Sequence, residues 1–225
     1  MDVVTATGTI IQARQAAETG DSLAGTGFWR LVTEIKRDDS LHRHIDAVAE
    51  IDQIAFKNWA VLVAPLWLGT TLMVAGTVFG LLLVWLAYPI EGYWSGIWLL
   101  AGTGVLLVTT HGLAHLVVGQ ILGIRFTAWF IGTFARPQPG VKTDYSTYLR
   151  APAVSRAWMH ASGAILTKTI PFLMLGVGIA ADAPVWSLWA LVVIALIEIA
   201  TDVFWSTSAS DWKKFKREMA FTQSS

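Results

Sequence analysis

Cysteine is absent from the chain. That excludes a disulfide framework and any zinc or iron–sulfur centre held by thiolates. Charge is scarce: Asp, Glu, Lys and Arg make up 14% of the 225 residues, against about 25% in an average soluble domain. Neither sign is in excess, with sixteen basic residues against sixteen acidic ones. The basic footprint of a nucleic-acid binder is therefore missing. The opening MDVV lacks a positive n-region followed by an apolar core, so no secretory signal is expected. There is no internal repeat and no low-complexity tract. What the chain has in quantity is apolar surface: 54% of residues are hydrophobic and twelve are Trp. This composition is that of an integral membrane protein.

The few charges are unevenly spaced. None occurs between Lys57 and Glu91, or between Glu91 and Arg125. Each gap exceeds the roughly 20 residues a spanning helix needs. The first carries Trp59 to Ile90 and the second Tyr93 to Ile124. A third apolar stretch runs from Trp158 to Ala181 and includes Lys168; a fourth runs from Val185 to Thr207 and includes Glu198 and Asp202. The expected fold is an all-α membrane protein of four transmembrane helices. A cytoplasmic helical segment (1–57) precedes the membrane domain (58–210), and a basic cytoplasmic tail (211–225) follows it.

Basic residues set the orientation. Six precede the first span (Arg14, Arg30, Lys36, Arg37, Arg43, Lys57). Five lie between spans two and three (Arg125, Arg136, Lys142, Arg150, Arg156), and four follow the last (Lys213, Lys214, Lys216, Arg217). The other two loops hold only Glu91 and Asp182. Both termini and the long middle loop are thus expected on the cytoplasmic side of a multi-pass protein. Trp59, Trp94, Trp158, Trp186, Trp205 and Trp212 fall near span ends, where an interfacial belt places them.

Three local patterns add detail. Asp38-Asp39-Ser40 reads as the cap of a helix running to Trp59, with Leu41, Ile45, Val48, Ile51 and Ala55 along one face. That face would lie on the inner membrane surface or on the protein itself. Gly76/Gly80 and Gly119/Gly123 are small-xxx-small pairs that permit close helix packing. In the middle loop, FTAWFIGTF and VKTDYSTYL flank ARPQPG. This is either a small β-hairpin or an interfacial loop anchored by Trp129 and Tyr148.

Ionisable groups inside lipid are costly, so each is a functional candidate. His111 and His115, four residues apart, share one helix face one turn apart. That spacing suits chelation of one metal ion. Counted from the inner charges Arg125 and Asp211 at about 1.5 Å per residue, Asp202 and Glu198 reach a similar depth. His111, His115 and Asp202 then form a three-ligand zinc set with an open position. His160, at the inner edge of span three, reads as a residue supporting the site or anchoring a loop. Lys168 would pair with Glu198 or Asp202, and such a pair would withdraw that carboxylate from a metal. Polar packing between helices and a proton or ion path are the readings that need no metal.

With these residues in place, the chain resembles the site-2 protease family of intramembrane zinc metalloproteases over about residues 93–210. His111-Gly112-Leu113-Ala114-His115 matches the family's HExxH helix. Ser155 to Ala164 (SRAWMHASGA) resembles the Arg-containing stretch entering its Gly-rich helix. Asp202 in IEIATDVFW sits where its last core helix supplies an Asp ligand. The resemblance implies zinc, a transmembrane substrate or client, and peptide-bond hydrolysis in or beside the bilayer. It also implies that a strand of the middle loop pairs with extended substrate. The chain departs from the family at Gly112, which replaces the general-base Glu, a loss worth 10²–10⁴-fold or more in rate. Val203 also replaces the Gly that commonly follows the Asp. Glu198, one turn before Asp202, is the candidate substitute base or a fourth metal contact, or else a residue hydrogen-bonded to a ligand His. Two functions follow: a zinc-binding protease-like protein that cuts weakly or only holds clients, or a non-catalytic membrane subunit or scaffold whose histidines pack or contact a cofactor. Membrane lipids are partners in both.

Overall fold

A computed structural model describes residues 3–133, 136–204 and 210–223. The chain divides into two compact units, each discontinuous in sequence: one gathers 1–65, 119–157 and 217–225, the other 66–118 and 158–216. This cuts across the consecutive segments 1–57, 58–210 and 211–225.

The first unit begins with helices α1 (Val3–Thr19), α2 (Phe28–Ile35) and α3 (Ile45–Trp59), with a 3₁₀ turn at Asp39–His44 before α3. Asp38 caps that turn by accepting from the Ser40 amide at 2.9 Å. The single helix expected from Asp38 to Trp59 is therefore two elements. Leu41, Ile45, Val48 and Ile51 are buried with Phe28, Leu31 and Ile35. The apolar stripe packs on the protein itself, because a partner face of matching apolar residues is available within the unit.

The middle loop forms a sheet. Strands β1 (Leu62–Pro65), β2 (Phe126–Thr133) and β3 (Arg136–Thr143) pair antiparallel in that order. The expected hairpin is present, with two corrections. RPQPG lies within β3 and not in the turn. Its prolines are tolerated because β3 is an edge strand, where a missing N–H leaves no ladder bond broken. A third strand, β1, comes from residues expected to open the first span. Val61, Val63 and the non-donating Pro65 favour an edge strand over the start of a helix. Trp129 and Tyr148 are buried, so neither is an interfacial anchor. Thr143 leads into α6 (Tyr145–Arg150), whose cap Asp144 accepts from the Ser146 amide at 3.0 Å.

The second unit holds four helices long and apolar enough to cross a membrane. They are α4 (Leu66–Trp85), α5 (Tyr93–Ile121), α7 (Ala153–Ala180) and α8 (Val185–Phe204). A ten-residue helix, α9 (Asp211–Ala220), follows α8. Val84, Leu99, Leu106, Ile170, Met174 and Leu191 form the shared core. Trp67, Leu72, Phe79, Leu82 and Trp85 are exposed along α4, as a lipid-facing surface would be. Gly76 and Gly80 do face α5: a Cβ on Gly80 would come within 3.1 Å of Leu106, and one on Gly76 within 2.7 Å of Thr109. Gly123 serves differently from its expected packing role. With φ +82° it ends α5, and the Ile124 amide returns to the Gly119 carbonyl at 2.8 Å, a glycine stop of the Schellman kind. Trp94, Trp158, Trp186 and Trp212 are exposed; Trp205 lies outside the described residues.

Candidate metal centre

Helix α5 presents His111 and His115 on one face, as their spacing requires. Their rings meet edge to face with centroids 4.8 Å apart, and their Nε2 atoms are 3.2 Å apart. Asp211, the first residue of α9, completes the group. Its Oδ2 is 3.2 Å from His111 Nε2 and 3.1 Å from His115 Nε2. Three ligand atoms thus form a nearly equilateral triangle. Adjacent ligands of a tetrahedral zinc, each about 2.0–2.1 Å from the ion, are about 3.3 Å apart. The observed edges match that spacing, so the three atoms could supply three of the ligands of one such ion.

The protonation pattern favours a cation at the centre. His115 Nδ1 lies 2.7 Å from the Met159 carbonyl on α7. A carbonyl can only accept, so Nδ1 carries a proton; in the neutral imidazole this turns the Nε2 lone pair to the triangle, where a metal ion or a proton shared with Asp211 would meet it. Lone pairs and a carboxylate oxygen converging at this range repel unless a proton or metal ion lies among them. The other Asp211 oxygen, Oδ1, is held by Lys214 at 3.3 Å. Burial raises the Asp211 carboxyl, but when protons sit on the facing imidazole nitrogens, hydrogen bonds from His111 and His115 outweigh it and hold the group far below the usual carboxylate range. Asp211 is therefore ionised, as a ligand must be. Its side chain is 16% exposed, that of His115 12% and that of His111 36%.

Gly163 on α7 makes the close fit. A Cβ there would fall 2.4 Å from His115 Nε2 and 2.9 Å from His111 Cε1. No side chain can stand at that position without displacing the imidazoles.

Two of the other expected site residues are paired with each other. Asp202 is ion-paired to Lys168, whose ammonium also donates to the Ala164 carbonyl at 3.3 Å. The carboxylate beside the histidines is Asp211 in its place. The reason is local: an ammonium on α7 among apolar helices needs a counter-charge, and the nearest acid on α8 supplies it. Glu198 is half-buried on α8 and is not part of the three-residue group. His160 is also half-buried, and the carbonyl of its neighbour Met159 meets His115 Nδ1. Asp211 escaped the sequence reading because it is the first charge after the last span and served there only as the boundary marker. The usable signal was an acid opening a short amphipathic helix, a position from which a carboxylate can reach back to the membrane edge.

A second polar cluster lies in the first unit. Glu218 has no exposed surface; it accepts from Lys36 at 2.5 Å, Arg156 Nε at 2.7 Å and the Tyr148 hydroxyl at 3.0 Å. Arg156 also donates to the Ala151 carbonyl at 2.5 Å. Two cations and a hydroxyl use the lone pairs of this one carboxylate, so it has none left to offer a ligand. The Arg of the SRAWMHASGA stretch is accounted for by this clasp.

In comparisons with family models, curated proteins and solved structures, nothing matches this chain.

Proposed function

We propose that this is an integral membrane protein that binds one divalent metal, zinc by ligand chemistry, through His111, His115 and Asp211. The observation that carries the reading is the triangle of ligand atoms with edges of 3.1–3.2 Å. Two imidazoles and one carboxylate with a fourth position open are the donor set of catalytic, rather than structural, zinc. Bound there, zinc would supply Lewis-acid polarisation of a carbonyl and lower the pKa of its water. The chain's own residues contribute the rest. Met159 fixes the His115 tautomer, Lys214 steadies Asp211, and Gly163 leaves room for both rings.

The likeness to site-2 proteases is kept as part of this reading, with Asp211 in the ligand role first given to Asp202. Gly112 cannot accept a proton, and Glu198 stands outside the ligand group. The function supported best is therefore a metal-binding, protease-like membrane protein that holds a transmembrane client without efficient cleavage. The distribution of basic residues places both termini on the cytoplasmic side. A second reading rests on the same triangle: a proton shared among His111, His115 and Asp211 would make it an ion pair in a non-catalytic scaffold.

Metal content after purification without chelator tests the choice. The metal reading expects about one zinc per chain, lost in His111→Ala, His115→Ala and Asp211→Ala and kept in Asp202→Asn. A well-folded, metal-free wild type overturns it. A tethered model substrate left intact by the wild type but cut by Gly112→Glu identifies the missing base.

A further inference from the structure

Helix α9 begins with a metal-centre carboxylate and continues as a basic surface. Trp212, Lys213, Lys216, Arg217 and Ala220 are exposed, whereas Asp211, Lys214 and Phe215 are half-buried and Glu218 is buried. Positions 212, 213, 216, 217 and 220 share one helix face. That face carries three positive charges and no acid. Phe215 stacks on Trp212 at 5.2 Å and meets Trp158, 49% exposed on α7, edge to face at 5.6 Å. Exposed aromatic rings at the end of an apolar helix mark the headgroup level of a bilayer. The basic face therefore stands at the depth of lipid phosphates, a few residues after the span α8. The complement such a face requires is anionic, and at that depth anionic lipid supplies it.

We infer that α9 is a membrane-surface helix that docks on the phosphate headgroups of anionic phospholipids through Lys213, Lys216 and Arg217, and that this docking holds Asp211 against the histidine pair. The second half rests on the metal reading above. Asp211 is the one member of the triangle that does not belong to α5. Any tilt of α9 away from the surface moves Oδ2 while leaving both imidazoles in place, so the lipid headgroups become part of what completes the centre.

The test uses the full chain in nanodiscs of phosphatidylcholine alone or with about a third phosphatidylglycerol, a content that gives a surface potential of the physiological sign. The chain has no cysteine, so Ala220→Cys takes an environment-sensitive dye at one site. The expected result is a blue-shifted emission in anionic discs that about 0.5 M salt removes. Zinc is expected to bind about fivefold tighter in anionic discs, the worth of roughly one basic residue at a charged surface. The triple change Lys213→Gln, Lys216→Gln, Arg217→Gln should abolish both differences; a tightening that survives in it comes from zinc enriched near anionic lipid and overturns the coupling. Lys213→Arg with Lys216→Arg should restore them. Identical dye emission in both disc types overturns the docking. A dye response with no change in zinc affinity overturns the coupling. A dye response in a protein that binds no zinc at all leaves the lipid surface standing and removes the metal reading instead.

Discussion

Helix α9 carries two acids, Asp211 and Glu218, whose surroundings differ in what neutralises them. Glu218 is closed: Lys36, Arg156 and Tyr148 use its lone pairs, and nothing of it is exposed. Asp211 is open: one oxygen meets Lys214, while the other converges with the Nε2 atoms of two imidazoles, between which a proton or a metal ion can sit. Asp202 on α8 belongs with the closed group, being matched by Lys168. The contrast teaches how a structural carboxylate can be told from a ligand carboxylate. A buried acid with its own cations is finished, whereas one facing further acceptors leaves a place for an ion.

Breaking the closed acid should give the largest effect. Glu218→Ala leaves an ammonium and a guanidinium buried without their counter-charge, and should cost about 3–5 kcal/mol of stability, read from denaturant or thermal unfolding. Removing the open acid should instead act on binding. Asp211→Ala or His115→Ala should weaken zinc more than about 100-fold, beyond what loss of a residue merely supporting a ligand costs. Asp202→Asn should leave affinity within about twofold, since it touches no ligand. Titration calorimetry with zinc reads all three, and equal losses at Asp202 and Asp211 would erase the distinction drawn here.

Gly163→Ala sharpens the comparison from the opposite helix. Its methyl group would displace both rings, and should lower zinc affinity about 10–100-fold, as loss of ligand orientation does, with folding retained by circular dichroism. The smallest effect is expected from pH. Burial raises the Glu218 carboxyl, but Lys36 and Arg156 outweigh this and bring it below its ordinary value of 4.5. The folded state then binds fewer protons than the unfolded one. The stabilisation is complete above about pH 4.5 and is lost as pH falls through the lower folded value. Melting temperature followed against pH should drop below that point in the wild type and drop less steeply in Glu218→Gln.

The four apolar helices and the His111/His115 pair were legible in the residues alone. Lipid offers no partner for backbone or charge, so long uncharged runs have few alternatives, and an i,i+4 spacing on a helix fixes its own face. The glycines at 76 and 80 could be read as packing sites for the same reason. The sheet was legible only in part. FTAWFIGTF showed a strand pattern, but Leu62–Pro65 looked like the start of a span because an apolar edge strand and an apolar helix end have the same composition. Which acid joins the histidines was decided by tertiary structure. Depth along a helix axis can be counted from sequence, but the direction in which Asp202 or Asp211 points depends on which neighbour needs its charge. Lys168 took one and left the other to the imidazoles.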